Sequence, residues 1–550
     1  MSRPRPTSFS RALPPALAAL LFLLSACGND TPAGEAPATE RAHPNVIFIM
    51  SDDHTTQAVG AYDRHLAAVD PTPNIDMLAD NGALFTNVFC TNSICTPSRG
   101  NIMTGQYSQT SGIIILDDTL RPEKQYLPRE MKALGYQTAM IGKWHLKAEP
   151  AAYDYYHVLD GQGKYFDPEF RSSVDGQWPD NLKKYEGHSS DVITDITLNW
   201  FKTVRKADEP FFLMHHYKAP HDDFEFAPRY ADYLADVHLP EPDNLYDRNQ
   251  PNFGSAATVG PNGELRKRIG TSVSDRHPYR SYTAQYSTNQ PGVPRDSATS
   301  RAYQTYVKNY LRCVKGVDDN LGRLFQYLKD EGLWENTVII YTGDQGMMLG
   351  EHDYMDKRWM YEESMQMPFI VHWPAGIPAG TVNELLINNT DFAPTMIELA
   401  GGRTPEYMQG LSFAEYIDGE EQPDDWREAT YYRYWMHMTH HDVPAHFGLR
   451  TKRYKLMFYY SQPYKEEELG KNSMWWLDKS YPVEPTPVAW EFYDLEKDPT
   501  EVNNAYNDPE YQDVITDLKR QLADLRRELN ETDENYPRFQ RVIEANWEAK

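Results

Sequence analysis

Four short apolar runs dominate the pattern of the chain, and each ends in polar or ionisable groups. Asn45 to Met50 delivers Ser51, Asp52 and Asp53, and Thr138 to Ile141 delivers Lys143 and His145. Phe211 to Met214 delivers His215, His216 and, past Lys218-Ala219-Pro220, His221, while Val338 to Tyr341 delivers Asp344 and Gln345. Continuous apolar runs of this length predict strands covered on both faces. Strands that each end in polar groups predict an open α/β sheet with its ligands beyond the carboxyl ends.

Helical patterning falls between the runs. Tyr303, Tyr306, Val307, Tyr310, Leu311, Val314, Val317, Leu321, Leu324, Phe325 and Leu328 recur at three- and four-residue spacing. That stripe predicts an amphipathic helix packed on the sheet, with its aromatics in the core. From Asn244 to Ser300 periodicity lapses and Asn, Pro, Gly and Ser take over, together with Arg266, Lys267, Arg268, Arg276 and Arg280. Residues 244–300 are therefore expected to form an irregular insertion. Past Asp418-Gly419-Glu420 the character changes to short strand-like runs at Tyr431–Met436, Phe447–Arg450, Tyr454–Tyr460 and Glu491–Leu495. Val514, Leu518, Leu522, Leu525 and Leu529 then line one face of a helix. The expected organisation is a large α/β domain over 44–420 and a smaller α+β subdomain with an antiparallel sheet over 421–550.

The N-terminus reads as a targeting segment. Arg3, Arg5 and Arg11 precede an apolar run from Leu13 to Leu24, too short to span a bilayer. Leu24-Ser25-Ala26-Cys27 resembles a bacterial lipobox, which implies a signal peptide over 1–26 and a lipid on Cys27. Gly28 suits passage to the outer membrane, and the Ala-, Pro-, Thr- and Glu-rich residues up to 43 form a flexible tether.

Charge and cysteine content narrow the chemistry. A formal charge of -26 excludes nonspecific nucleic-acid binding, so an anionic substrate would need a local basic pocket. The basic residues of the insertion, Arg266 to Arg280, are expected to offset that negative field near a substrate groove. Four cysteines occur, and with Cys27 and Cys95 assigned elsewhere, Cys90 and Cys313 are left free or paired.

The stretch Cys95-Thr96-Pro97-Ser98-Arg99 is the candidate centre of the chemistry. Thr96 suits an N-cap and Pro97 a first helical residue, which places Cys95 at a helix N-terminus. Free N–H groups and the dipole there attract an anion, and Arg99 adds a positive charge about one turn on. Asp52, Asp53, Asp344 and Gln345 offer three carboxylates and an amide oxygen, a hard set suited to Ca²⁺ or Mg²⁺.

Cys95, Pro97, Ser98 and Arg99 match in full the Cys-X-Pro-Ser-Arg signature of the type I, formylglycine-dependent sulfatases, a family of the alkaline phosphatase-like superfamily. Residues 135–146, Gly-Tyr-Gln-Thr-Ala-Met-Ile-Gly-Lys-Trp-His-Leu, resemble the second signature of that family, departing from it where Lys147 replaces the usual glycine. The resemblance runs from about Pro44 to about Asn504. It implies an alkaline phosphatase-like α/β domain, a maturation enzyme that oxidises Cys95 to formylglycine, and one Ca²⁺ held by Asp52, Asp53, Asp344, Gln345 and the modified residue 95. It also implies a catalytic set of Cys95, Arg99, Lys143, His145, His221 and Lys357. In the implied reaction the aldehyde hydrate attacks sulfur, Arg99, Lys143 and Lys357 hold negative charge, His221 protonates the leaving alcohol and His145 assists release of sulfate.

Residues 221–230 and the histidine-bearing loop His437, His440, His441 and His446 look similar to bacterial sulfatases acting on algal polysaccharides. The implied substrate is a sulfated polysaccharide or its oligosaccharides, with ulvan the leading candidate and carrageenan or a glycosaminoglycan behind it. A phosphatase, phosphodiesterase or phosphonate hydrolase of the same fold, or a glycan-binding lipoprotein without turnover, are the alternatives.

Overall fold

The structure, a computed structural model, describes residues 43–246, 252–419, 423–471 and 481–549. The expected signal peptide, the expected lipid site at Cys27 and all of the expected tether but residue 43 lie outside the described residues.

The four apolar runs are adjacent strands of one ten-stranded sheet. They are β1 (Asn45–Asp52), β2 (Gln137–Gly142), β3 (Phe211–Pro220) and β4 (Thr337–Gly343), each buried along its whole length. In space the order is β4-β1-β3-β2, all parallel, extended by a fifth parallel strand at Tyr155–Leu159. Antiparallel strands flank this centre at Phe369–His372 on one side and Glu169–Ser172 on the other. Side chains alternate across the sheet as the pleat requires. Ile47 and Ile49 enter one core, whereas Val46, Phe48 and Met50 enter the core on the opposite face.

Helices cover both faces. Four of them matter for the site and its frame: α1 (Cys95–Thr104), α2 (Ser189–Thr203), α3 (Arg295–Asp330) and α4 (Gln512–Glu528). The expected stripe from Tyr303 to Leu328 lies on α3, which packs with α2 against β3. The C-terminal pattern resolves into the antiparallel sheet β5 (Ala429–Tyr434), β6 (His446–Thr451), β7 (Tyr454–Tyr459) and β8 (Ala489–Asp494), in sequential order. Helix α4 buries Ile515, Leu518 and Leu522 against it. Among the described residues, no helix is long and apolar enough to cross a membrane.

The insertion corrects one expectation. Its residues 252–294 carry only short elements and it ends at Arg295, where α3 begins, short of the expected residue 300; Arg266, Arg276 and Arg280 are buried rather than presented to a groove. Arg276 Nε pairs with Asp353 Oδ2 at 2.9 Å, Arg280 Nη2 with Asp442 Oδ2 at 2.6 Å, and Arg266 Nη2 donates to the His352 carbonyl at 2.6 Å. A buried guanidinium needs such partners, so these arginines bind the insertion to neighbouring loops instead of attracting substrate. Thr271–Ser272 also pairs antiparallel with Tyr354–Asp356, the strand that leads into Lys357. Cys90, Cys95 and Cys313 are all free thiols and buried, so Cys90 and Cys313 are not paired.

Candidate active site

The carboxyl ends of β1, β2, β3 and β4 converge with the N-terminus of α1. Asp52 closes β1 and Asp53 follows in the left-handed conformation, φ 65°. That turn is held from both sides: the Asp53 N–H donates to Asp344 Oδ1 at 3.0 Å, and the Tyr310 hydroxyl of α3 donates to the Asp53 carbonyl at 2.7 Å. At the end of β2, Gly142 takes φ 106°, and a Cβ there would sit 1.8 Å from the His216 carbonyl oxygen. Only glycine permits this approach, which lets the Lys143 N–H donate to that oxygen at 2.9 Å and turns Lys143 into the site.

Helix α1 begins at Cys95 itself, with Ile94 extended before it and no side-chain cap. Thr96 is not the cap that the sequence suggests; its hydroxyl donates to the His145 carbonyl at 3.1 Å, joining α1 to the β2 loop. All ten residues of α1 are buried. Arg99 also departs from its expected place. Its Nε donates to Asp344 Oδ2 at 3.0 Å, Nη1 to the Lys143 carbonyl at 2.7 Å and Nη2 to Asp52 Oδ1 at 3.3 Å. With every guanidinium nitrogen occupied, Arg99 holds the carboxylates instead of offering itself to an anion.

The site balances three acids against three bases. Ligand oxygens of Asp52, Asp53 and Asp344 lie within 4.8 Å of one another, and all three residues are fully buried. Lys143 pairs with Asp52, Lys357 Nζ lies 2.5 Å from Asp53 Oδ2, and Arg99 bridges Asp52 and Asp344. Burial, with the like charge of Asp344 added, pushes the Asp53 carboxyl up to about 7 despite Lys357. Burial, reinforced by Lys218, drives the Lys143 ammonium well below its ordinary value. Lys357 stays above its ordinary value: burial opposes its charge, but Asp53 and Cys95 outweigh it.

A hard cation fits this arrangement. The Gln345 amide donates through Nε2 to Asp53 and to Asp344, while its Oε1 is buried with no partner. Rotating the amide by half a turn adds an oxygen to the three carboxylates, the donor set that Ca²⁺ and Mg²⁺ select. Cys95 lies against the same cluster: its sulfur, an Asp52 oxygen and a ring nitrogen of His221 are within 4.8 Å of one another. Burial pushes its thiol up to about 12 in spite of the helix N-terminus, so the unmodified side chain is a poor nucleophile.

Histidines separate into site and frame. His145 and His221 are half-buried at the site. Burial lowers both, His221 to about 3 against the opposing charge of Asp222. His215 bonds Thr197, His216 lies against the Lys143 carbonyl, and His352 stacks on Tyr361, so these three belong to the core. In the loop that carries His437, His440, His441 and His446, two of the four are internal: His437 bonds the Glu484 carbonyl and His446 stacks on Tyr432. His441 approaches the site charges, with Nδ1 3.5 Å from Asp356 Oδ2. Several residues near the site carried no sequence assignment. Gln162 accepts from Lys143, Lys218 Nζ sits 4.8 Å above the Tyr165 ring, Arg358 pairs with Asp356, and Asp222 pairs with His221. The adjacency of Asp222 to His221 and of Arg358 to Lys357 was visible in the sequence; nothing in it links Gln162 to Lys143.

A nucleophile position at a helix N-terminus, a carboxylate cation cradle and two lysines paired with it form a site suited to hydrolysing esters of a tetrahedral oxyanion. A family profile described as Sulfatase matches residues 44–402, and one described as N-sulphoglucosamine sulphohydrolase, C-terminal, matches 350–472 and 483–528. The chain belongs to the sulfatase family. It is 35% identical to an N-acetylglucosamine-6-O-sulfatase of Bacteroides thetaiotaomicron, covering 93% of this chain and 90% of that protein. An ulvan-active sulfatase of Formosa agariphila is 25% identical, over 92% and 86% of the two chains. A solved structure in complex with its substrate, D-glucosamine-2-N,6-O-disulfate, superposes with a TM-score of 0.75 at 33% identity, covering 90% of this chain and all of that one.

Proposed function

We propose that this sulfatase removes the 6-O-sulfate of a glucosamine-type sugar carried on a glycosaminoglycan-derived oligosaccharide. Its supporting observation is the 35% identity, sustained over nine-tenths of both chains, to a protein named for that bond. Ulvan, the leading candidate from the sequence, has a more distant relative behind it at 25% identity and takes second place.

When Cys95 is oxidised to formylglycine, its hydrate supplies the attacking oxygen, and a Ca²⁺ held by Asp52, Asp53, Asp344, Gln345 and the modified residue supplies positive charge beside it. The chain's own residues do the rest. Lys143 and Lys357 hold sulfate oxygens and the charge that develops on them. Arg99 keeps Asp52 and Asp344 in place. His221 gives a proton to the leaving sugar oxygen as the S–O bond breaks, and His145 takes a proton during release of sulfate. Burial of the cluster excludes water from the reacting atoms. The matured enzyme carries a lipid on Cys27 and works at the outer membrane, where polymeric substrates are met; a Cys27→Ala variant should lose membrane association.

Sulfate release from N-acetylglucosamine 6-sulfate, its 3-sulfate isomer and ulvan oligosaccharides tests the assignment. Turnover confined to the 6-sulfate supports it. A higher kcat/KM on ulvan oligosaccharides would replace it.

A further inference from the structure

His221 has one ring nitrogen engaged by a carboxylate outside the cation cradle and the other turned toward the cradle. Its Nδ1 lies 2.7 Å from the carbonyl oxygen of Asp222 and 2.5 Å from Asp222 Oδ1. Both partners can only accept, so the proton of a neutral His221 ring sits on Nδ1. Nε2 is left facing the cluster, 3.8 Å from Asp53 Oδ2. The backbone behind the ring is tied down independently. The His221 N–H donates to the Lys218 carbonyl at 3.1 Å, and the buried Tyr165 donates its hydroxyl to the His221 carbonyl. The Asp222 side chain is 40% exposed, so it sits at the rim and has no core to fill.

Two demands meet at this ring. As an acid it must carry a proton on Nε2, and the ring must hold Nε2 toward the cluster. A carboxylate against Nδ1 serves both, holding the Nδ1 proton and fixing the ring plane, as outer carboxylates do for histidines elsewhere.

We propose that Asp222 is a positioning residue that acts through His221, fixing its tautomer and its ring plane for leaving-group protonation. The inference rests on the acid role given to His221 above. In the step, the Nε2–H bond breaks and the proton goes to the ester oxygen as the S–O bond electrons move onto that oxygen. The ring is left neutral with Nδ1–H still toward Asp222, and Asp222 keeps its charge throughout.

A double-variant cycle on the matured full-length enzyme, assayed on N-acetylglucosamine 6-sulfate, tests this. Asp222→Asn should lower kcat by about 10- to 100-fold with KM little changed, and Asp222→Glu should recover part of that loss. His221→Ala should lower kcat by about 100- to 10,000-fold. In the His221→Ala background, Asp222→Asn should cost no more than about a further twofold, because a residue acting through the ring has nothing left to act on. Multiplying effects would overturn the proposal, as would a loss confined to KM; either would make Asp222 a substrate contact or a folding residue. A His221→Ala variant within tenfold of wild type would instead remove the acid assignment, a separate failure that takes this inference with it.

Discussion

The Arg99 guanidinium faces Asp344 with two nitrogens, Nε at 3.0 Å and Nη2 at 2.9 Å from the same carboxylate oxygen. Both side chains are sealed from solvent, and the same guanidinium reaches Asp52. Arg99 therefore belongs to the frame of the cation cradle. Removing one partner of a buried pair costs about 3–5 kcal/mol because the other charge is left uncompensated. Arg99→Ala should lose stability on that scale in denaturant titrations and should also purify with less bound metal. A variant of normal stability with only a raised KM would return Arg99 to the role of sulfate contact.

Asp344 is the acid on which most of the site depends, meeting Arg99, the Asp53 N–H and the Gln345 amide. Asp344→Asn should lower metal content, read by elemental analysis, and activity together. Chelation of the wild type should abolish turnover and added Ca²⁺ should restore it. Full activity after exhaustive chelation would remove the cation from the account.

The insertion now carries a different expectation from its composition alone. Arg276, buried and paired with Asp353, should when changed to Ala cost about 3–5 kcal/mol of stability. Turnover of an aryl sulfate and of a sulfated oligosaccharide should fall by the same factor. Selective loss on the oligosaccharide would show that the insertion faces substrate after all.

Gly142 gives a local test of how Lys143 is aimed. Gly142→Ala places a Cβ 1.8 Å from a backbone oxygen of β3 at a positive φ, so the strand end must shift. Activity should fall by more than about tenfold, since an ångström of misplacement is enough to cost that much, while thermal melting reports a smaller change than Arg99→Ala.

Much of this site was legible before any coordinates, for a physical reason. Strands buried on both faces must be apolar throughout, so β1, β2, β3 and β4 announce themselves, and the polar groups that end them must meet where a parallel sheet ends. Asp52, Asp53, Lys143, His221, Asp344 and Gln345 were placed on that logic, and the structure brings them together. What failed was long-range pairing. Nothing local to Arg276 or Arg280 shows that Asp353 and Asp442 will bury them, and a basic run reads as a solvated face until its partners are known. Thr96 misled for the opposite reason: as a cap its hydroxyl would serve α1 locally, yet the His145 carbonyl, 49 residues on, claims it.

The central claim is that residue 95 acts as an aldehyde and not as a thiol. Peptide mass spectrometry across Cys95, on protein made in its native host and shown to release sulfate, tests it most directly. The account predicts the mass of formylglycine at position 95 in the active fraction and no activity in a Cys95→Ala variant that folds normally and keeps metal on its four remaining ligands. Active protein whose residue 95 carries the mass of unmodified cysteine would contradict it.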